Sequence, residues 1–81
     1  MNRKEIEEMF FNCLAKTFGE NNIKNVDELS SAKDVKGWDS FGHIALLSNL
    51  EKKFQIHFSF KDIYSFECIG DIIDLIYEKK G

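Results

Sequence analysis

Apolar side chains recur every three or four residues in the first segment of the chain, from about residue 3 to residue 18. This spacing predicts an amphipathic helix with one buried face. Asn2 stands before the segment and Glu5 follows three residues later, which is a capping-box pattern. Gly19 supplies a residue suited to ending the helix. The apolar positions are Ile6, Met9, Phe10, Cys13, Leu14 and Phe18.

A second helical pattern runs from about residue 40 to residue 54 and has two different apolar faces. On a helical wheel, the predicted core face holds Leu46, Leu47, Leu50 and Phe54. The other face holds Phe41, Ile44, Ala45, Ser48 and Lys52. This second face is more apolar than a fully solvated helix face, so it is a candidate contact surface.

The rest of the chain predicts a long loop, a short helix and a last helix. Residues 20–38 lack periodicity, and a loop of this length needs anchors; the candidate anchors are Ile23, Val26, Leu29, Val35 and Trp38. Ser59 and Asp62 form a capping pattern for a short helix over 60–64. Isoleucines at helical spacing predict a helix over 69–79. We therefore expect one all-α domain over residues 1–81, a four-helix bundle of three longer helices and one short helix with a long first loop.

Composition excludes several classes of protein. The 81 residues carry a net charge of −3, and no basic stripe indicates a nucleic-acid partner. No apolar run is long enough for a membrane span, and no signal-peptide core is present. Cys13 and Cys68 have neither metal-site nor redox-pair spacing, so we expect small buried side chains in a reducing cytoplasm and no metal site. We expect a monomer.

The most informative motif runs from Gly37 to Gly42 and places Ser40 at the start of the second helix. Asp39 precedes this serine and Phe41 follows it. By position alone Ser40 is most simply a helix cap. The ordered set of this motif, the flanking helices and the long loop, however, resembles the acyl carrier protein family along essentially the whole chain. Asp-Ser-Phe-Gly is similar to the motif of D-alanyl carrier proteins, and Trp38 to that of specialised stand-alone carriers.

The resemblance implies a function for Ser40. In that family the serine after the aspartate carries a covalent 4′-phosphopantetheine arm, which holds an acyl or aminoacyl group as a thioester. The implied partners are a phosphopantetheinyl transferase, an acyl or aminoacyl ligase, and an acyl transferase or synthase. The chain would then be a substrate of the transferase and not an enzyme. The motif leaves fatty acid, polyketide, aminoacyl and polysaccharide-modifying pathways open, although the scarcity of acids on the second helix speaks against generic fatty acid synthesis.

The second helix also predicts how partners bind. Phe41, Ile44 and Ser48 share the face opposite the core and are the expected docking residues. The alternative is an unmodified helical interaction module, in which Phe41 and Ile44 dock into a groove and Ser40 is only a cap.

His43 has two further interpretations. Its spacing from Ser40 suggests a nucleophile and base, but so small a chain offers little room for a substrate cleft, and no acid is obviously placed to orient the histidine. The wheel instead places His43 on the core side, at the mouth of the cavity that the family resemblance implies. A buried imidazole needs a partner, which can be a backbone carbonyl, water or the cargo. In the simpler interpretation the backbone of the first loop supplies that partner. In the other, His43 and the bulk of Phe54, Phe60 and Phe66 shorten the cavity and make its mouth polar, which favours short or polar cargo.

Overall fold

A computed structural model describes residues 1–80, and this part of the chain is all-helical. Helix α1 spans Arg3–Phe18, α2 spans Ser40–Phe54, α3 spans Phe60–Ile63 and α4 spans Ile69–Lys80. The predicted class, three longer helices and one short helix with a long first loop, is confirmed. The predicted ends differ only slightly, because α3 stops one residue earlier and α4 continues one residue further than expected.

Capping residues start and end α1 as its sequence predicts. The Asn2 side chain accepts a hydrogen bond from the Glu5 backbone N–H at 2.9 Å, and the Glu5 carboxylate accepts one from the Asn2 N–H at 3.1 Å. At the other end Gly19 has a φ of 93°, and its N–H donates to the Ala15 carbonyl at 2.7 Å. This positive φ favours glycine, which fixes where the helix stops.

One apolar core joins α1, α2 and α4. All four residues of the predicted core face of α2 are buried there, together with one face of α1, one face of α4 and Phe58 from the segment before α3. Cys13 is buried as predicted, whereas Cys68 is only partly buried. The core residues are Ile6, Phe10, Cys13, Leu14, Leu46, Leu47, Leu50, Phe54, Phe58, Ile69, Ile72, Ile73 and Ile76.

The long first loop is held by fewer side chains than its sequence predicts. Val35 is buried, and Ile23, Val26 and Trp38 pack partly against the core. Leu29 is 87 % exposed, so its prediction as an anchor is wrong. The loop does contain two short 3-10 turns, over Glu20–Ile23 and Ala32–Asp34.

Backbone hydrogen bonds hold the part of the loop where Leu29 fails to anchor it. The Ile69 N–H donates to the Ser30 carbonyl at 2.9 Å, and the Gly70 N–H donates to the Glu28 carbonyl at 2.8 Å. The first turn of a helix has N–H groups without an intrahelical partner. Since the loop supplies their acceptors, the start of α4 fixes the loop and leaves Leu29 free to point outward.

Arg3 adds a charged link between α1, the loop and α4. Its guanidinium contacts Glu28 at 2.6 Å and Asp74 at 2.7 Å, and it also pairs with Glu7 one helical turn away. Hydrogen bonding from Arg3 lowers the pKa of Glu28. Glu28 is therefore not a simple solvated acid of the loop, because its carboxylate is part of this network.

No helix within residues 1–80 is long and apolar enough to cross a membrane.

Candidate functional site

Asp39, and not Ser40, caps α2. Asp39 has an extended backbone, and its carboxylate accepts a hydrogen bond from the Gly42 N–H at 2.8 Å. Ser40 is the first helical residue and is exposed, and its hydroxyl has no hydrogen-bond partner within residues 1–80. The interpretation of Ser40 as a cap is therefore wrong. Asp and Ser are both favoured caps, so their order alone did not distinguish them.

The cap leaves polar groups free beside the serine hydroxyl. The first-turn N–H groups of a helix have no intrahelical acceptor. The Asp39 carboxylate accepts a hydrogen bond from the Gly42 N–H. The N–H groups of Ser40 and Phe41 have no acceptor within residues 1–80. The start of α2 therefore presents an exposed hydroxyl, two free donors and the positive end of the helix dipole at one point.

Two glycines and two aromatic rings fix the loop against this helix start. A side chain at Gly42 would come within 2.4 Å of the Gly37 carbonyl oxygen and 2.8 Å of the Phe18 ring. The Trp38 ring stacks on Phe18 with ring centroids 5.4 Å apart. Trp38 is thus a loop anchor, as its sequence context predicts, and the glycines allow the close approach.

His43 links the loop, α2 and α3 through both ring nitrogens. The Trp38 indole N–H donates to His43 Nδ1 at 2.9 Å, and His43 Nε2 lies 2.6 Å from the Ile63 carbonyl oxygen. An indole nitrogen only donates and a carbonyl only accepts. Nδ1 therefore carries no proton and Nε2–H donates to Ile63, which defines the tautomer.

These bonds change two interpretations of His43. The expected backbone carbonyl is present, but it comes from α3 and not from the first loop, which contributes the Trp38 side chain instead. Both nitrogens are occupied, so neither is free to accept a proton from Ser40 in this arrangement. The geometry thus gives a hydrolytic pair no base.

A surface cleft of ≈ 480 Å³ adjoins Ser40 and is bordered by α2, the loop and the end of α3. Phe41 and Ile44 line it with 88 % and 47 % of their surface exposed, while Ser48 lies further along α2, partly buried. Tyr64 is a lining residue that the sequence did not indicate. Its only signal in the sequence was an aromatic side chain at the end of the predicted short helix. The lining residues are Ala32, Trp38, Asp39, Ser40, Phe41, His43, Ile44 and Tyr64.

Three phenylalanines predicted to shorten a cavity behave differently from one another. Phe54 is buried in the core, and Phe66 packs edge-on against His43 with ring centroids 6.4 Å apart. Phe60 is 79 % exposed and contacts Tyr64 on the surface, so its predicted place in a cavity wall is wrong. The capping box of Ser59 and Asp62 makes Phe60 the first residue of α3.

The clearest acid of α2 serves a structural purpose. The Glu51 carboxylate accepts a hydrogen bond from the Phe58 N–H at 2.8 Å and lies 3.2 Å from the exposed His57 ring.

Within residues 1–80, no group of three or more His, Cys, Asp or Glu side chains is arranged to hold a metal ion. Comparison with known proteins found no matching family model, no matching curated protein and no matching solved structure.

Proposed function

We propose that this chain is an acyl carrier protein, with Ser40 as the attachment site for 4′-phosphopantetheine. The observation that carries the proposal is the separation of roles at the start of α2, where Asp39 caps the helix and the Ser40 hydroxyl stays exposed and unbonded. A serine needed for capping would hold its hydroxyl against the backbone. An unbonded hydroxyl is accessible to a transferase.

The residues around Ser40 fit a phosphodiester. The free N–H groups of Ser40 and Phe41 and the positive end of the helix dipole stabilise a negative group at this position. The cleft beside Ser40 has room for part of an arm, with Trp38, Ile44 and Tyr64 as apolar contacts. When attached, phosphopantetheine supplies a terminal thiol that holds an acyl or aminoacyl group as a thioester.

In this proposal the chain has no catalytic residue of its own. It positions the cargo while a phosphopantetheinyl transferase, an acyl or aminoacyl ligase and an acyl transferase or synthase act on it in turn. Phe41, Ile44 and Ser48 are the docking residues, and the exposure of Phe41 and Ile44 suits that use. We place the carrier in the cytoplasm as a monomer.

Intact mass tests the assignment. Co-expression with a broad-specificity phosphopantetheinyl transferase should add one phosphopantetheine to the wild-type chain and none to Ser40→Ala. Because Asp39 provides the cap, Ser40→Ala should change the free energy of unfolding by less than about 0.5 kcal/mol. The control Asp39→Ala should cost about 1 kcal/mol. Added mass on the Ser40→Ala chain would refute the assignment.

A second candidate function keeps the same surface without the modification. The exposure of Phe41 and Ile44 also suits an interaction module that binds a partner groove. This module would gain no mass with any transferase, and Ser40→Ala would leave its partner binding unchanged.

A further inference from the structure

Four exposed apolar side chains form one patch beside Ser40. Phe41 and Ile44 on α2 line the cleft together with Tyr64, which follows α3. Tyr64 is 69 % exposed and contacts the exposed Phe60 with ring centroids 5.3 Å apart. We call Phe41, Ile44, Phe60 and Tyr64 the apolar patch. Large side chains of this kind commonly anchor a protein partner.

The charges of the chain segment that carries the patch differ from those of the rest of the chain. Residues 29–65 contain five lysines and four acidic residues, whereas the remaining positions contain six basic and ten acidic residues. The segment that carries the patch is therefore weakly positive, and the chain's net negative charge comes from outside it.

The four acids of this segment are all engaged by the backbone. Each carboxylate accepts a hydrogen bond from a nearby backbone N–H, at distances between 2.8 and 3.0 Å. Such bonds favour the charged form of a carboxylate and restrict its orientation. The four pairs are Asp34 with Ser31, Asp39 with Gly42, Glu51 with Phe58, and Asp62 with Ser59.

Four lysines of this segment are exposed, and none forms an ion pair within residues 1–80. Lys61 follows Phe60, and Lys33 follows the cleft residue Ala32. Lys36 lines a neighbouring cleft together with Phe41. Lys52 lies on the same face of α2 as Phe41, about three turns further along. The lysines that lie beside patch or cleft residues in the chain, or on the same helix face, thus form no ion pair within residues 1–80.

We propose that the apolar patch docks onto an acidic surface of a partner enzyme, an apolar area flanked by carboxylates. This proposal rests on the proposed function, because it takes the partner to be an enzyme that acts on the arm. Apolar contacts at the centre of an interface supply affinity, and opposite charges at its border accelerate association and select the partner. An enzyme with a basic docking surface would meet four unpaired lysines and be repelled.

Two synthetic helical peptides of about 18 residues test the sign of this charge preference. Both carry the same apolar stripe, flanked by glutamates in one and by lysines in the other. Binding to the unmodified full-length chain is followed by the backbone amide signals in NMR spectra. The glutamate peptide should bind at least about tenfold more tightly and shift signals around Phe41, Ile44 and Tyr64. The preference should shrink as salt rises from about 20 to about 500 mM.

Charge-reversal variants provide the matched control. Lys33→Glu, Lys52→Glu and Lys61→Glu in one chain should abolish or reverse the preference, and Phe41→Ala should weaken binding of the glutamate peptide about tenfold or more. Lys4→Glu, Lys16→Glu and Lys80→Glu change the net charge equally at exposed positions elsewhere, and should preserve the preference.

Several results would overturn the proposal. They are equal binding of the two peptides, binding of neither, tighter binding of the lysine peptide, or signal shifts away from the patch. If phosphatidylglycerol vesicles bound more tightly than the glutamate peptide and shifted the same signals, the surface would be assigned to a membrane instead. All peptide-binding measurements use the chain without its arm and are repeated on Ser40→Ala, so they do not depend on the modification. If only the carrier assignment fails, the wild-type chain gains no mass from the transferase but still prefers the glutamate peptide.

Discussion

At the scale of single residues, the start of α2 divides its tasks among neighbours. Asp39 caps the helix, Ser40 leaves its hydroxyl exposed, and Phe41 points outward. Gly42 then lets the Gly37 carbonyl and the Phe18 ring approach the helix closely. The neighbours of Ser40 thus fix the start of the helix, while the Ser40 hydroxyl forms no hydrogen bond within residues 1–80.

Gly42→Ala should destabilise the protein although alanine favours helices. The added Cβ would lie 2.4 Å from the Gly37 carbonyl oxygen, a backbone atom that cannot move away without shifting the loop. We expect a loss of about 1–3 kcal/mol in urea unfolding, as for other overpacked sites. The control Ser48→Ala lies on the same helix and should be neutral or slightly stabilising. A Gly42→Ala chain as stable as wild type would contradict this close approach.

At the scale of elements, α3 depends on its neighbours. Its four residues, Phe60–Ile63, are too few for a stable isolated helix. The Ser59–Asp62 capping box holds its start, and the His43 bond to the Ile63 carbonyl holds its end. His43 in turn is oriented by Trp38, so the loop, α2 and α3 meet at one imidazole.

His43→Ala should loosen the end of α3 more than the rest of the fold. Loss of both bonds leaves the Trp38 N–H and the Ile63 carbonyl without partners, which we expect to cost about 1–3 kcal/mol of unfolding free energy. Amide hydrogen exchange should accelerate most around residues 63–65, and the fluorescence of Trp38, the single tryptophan, should change. The exposed His57 is the control, since His57→Ala should leave both signals unchanged. Uniformly faster exchange would indicate that His43 supports the whole core instead.

The same imidazole carries the prediction about cargo. A polar group beside the cleft, together with Phe66 packed on its edge, should favour short or polar acyl groups over long aliphatic chains. The protein with its arm attached is loaded with an acetyl, aminoacyl or palmitoyl thioester, and the melting temperatures of the three forms are compared. The acetyl and aminoacyl forms should melt at similar temperatures, and the palmitoyl form should be no more stable than they are. Marked stabilisation by palmitoyl alone would reveal a deep apolar cavity and contradict this prediction.

At the scale of the whole molecule, Arg3 joins three parts of the chain that are far apart in sequence. Hydrogen bonding from Arg3 lowers the pKa of Glu28, while hydrogen bonding with Glu28 raises the pKa of Glu7. Protonation by acid therefore removes a stabilising contribution at Glu28, whereas at Glu7 the folded state favours the protonated form. Since a lowered pKa means that the folded state prefers the charged form, the Glu28 contribution is complete above the unfolded pKa of about 4.3. It is lost as the pH falls through the lower folded pKa.

Glu28→Gln should reduce the acid sensitivity of the protein. The variant should be less stable than wild type at pH 7 and should lose less stability between about pH 5 and pH 3, because the group that titrates there is gone. Urea unfolding at both pH values measures the difference. The matched control Glu7→Gln should not reduce acid sensitivity, since the raised pKa of Glu7 favours its neutral form in the folded state. Equal acid sensitivity in wild type and Glu28→Gln would show that solvent screens the network.

The sequence by itself determined the helices and the core. Apolar spacing, capping residues and Gly19 act within a few residues of one another, so they can be read without knowledge of the fold. That is why the bounds of α1 and α2, the core face of α2 and the cap of α3 agree with the structure. The Asp39-Ser40-Phe41 motif was visible in the same local way.

Only the tertiary structure decided which local signals are used. Asp39 and Ser40 are both good caps, and the path of the loop into α2 selects the first. Leu29 was predicted to anchor the loop and Phe60 to line a cavity, but both side chains are exposed. Backbone bonds to α4 hold the loop beside Leu29 without its side chain, and Phe60 is the first residue of a capped α3. The Arg3 network and the His43 bond to Ile63 join residues far apart in the chain, so no local pattern announces them. Such contacts depend on how the helices pack, which is a property of the whole fold.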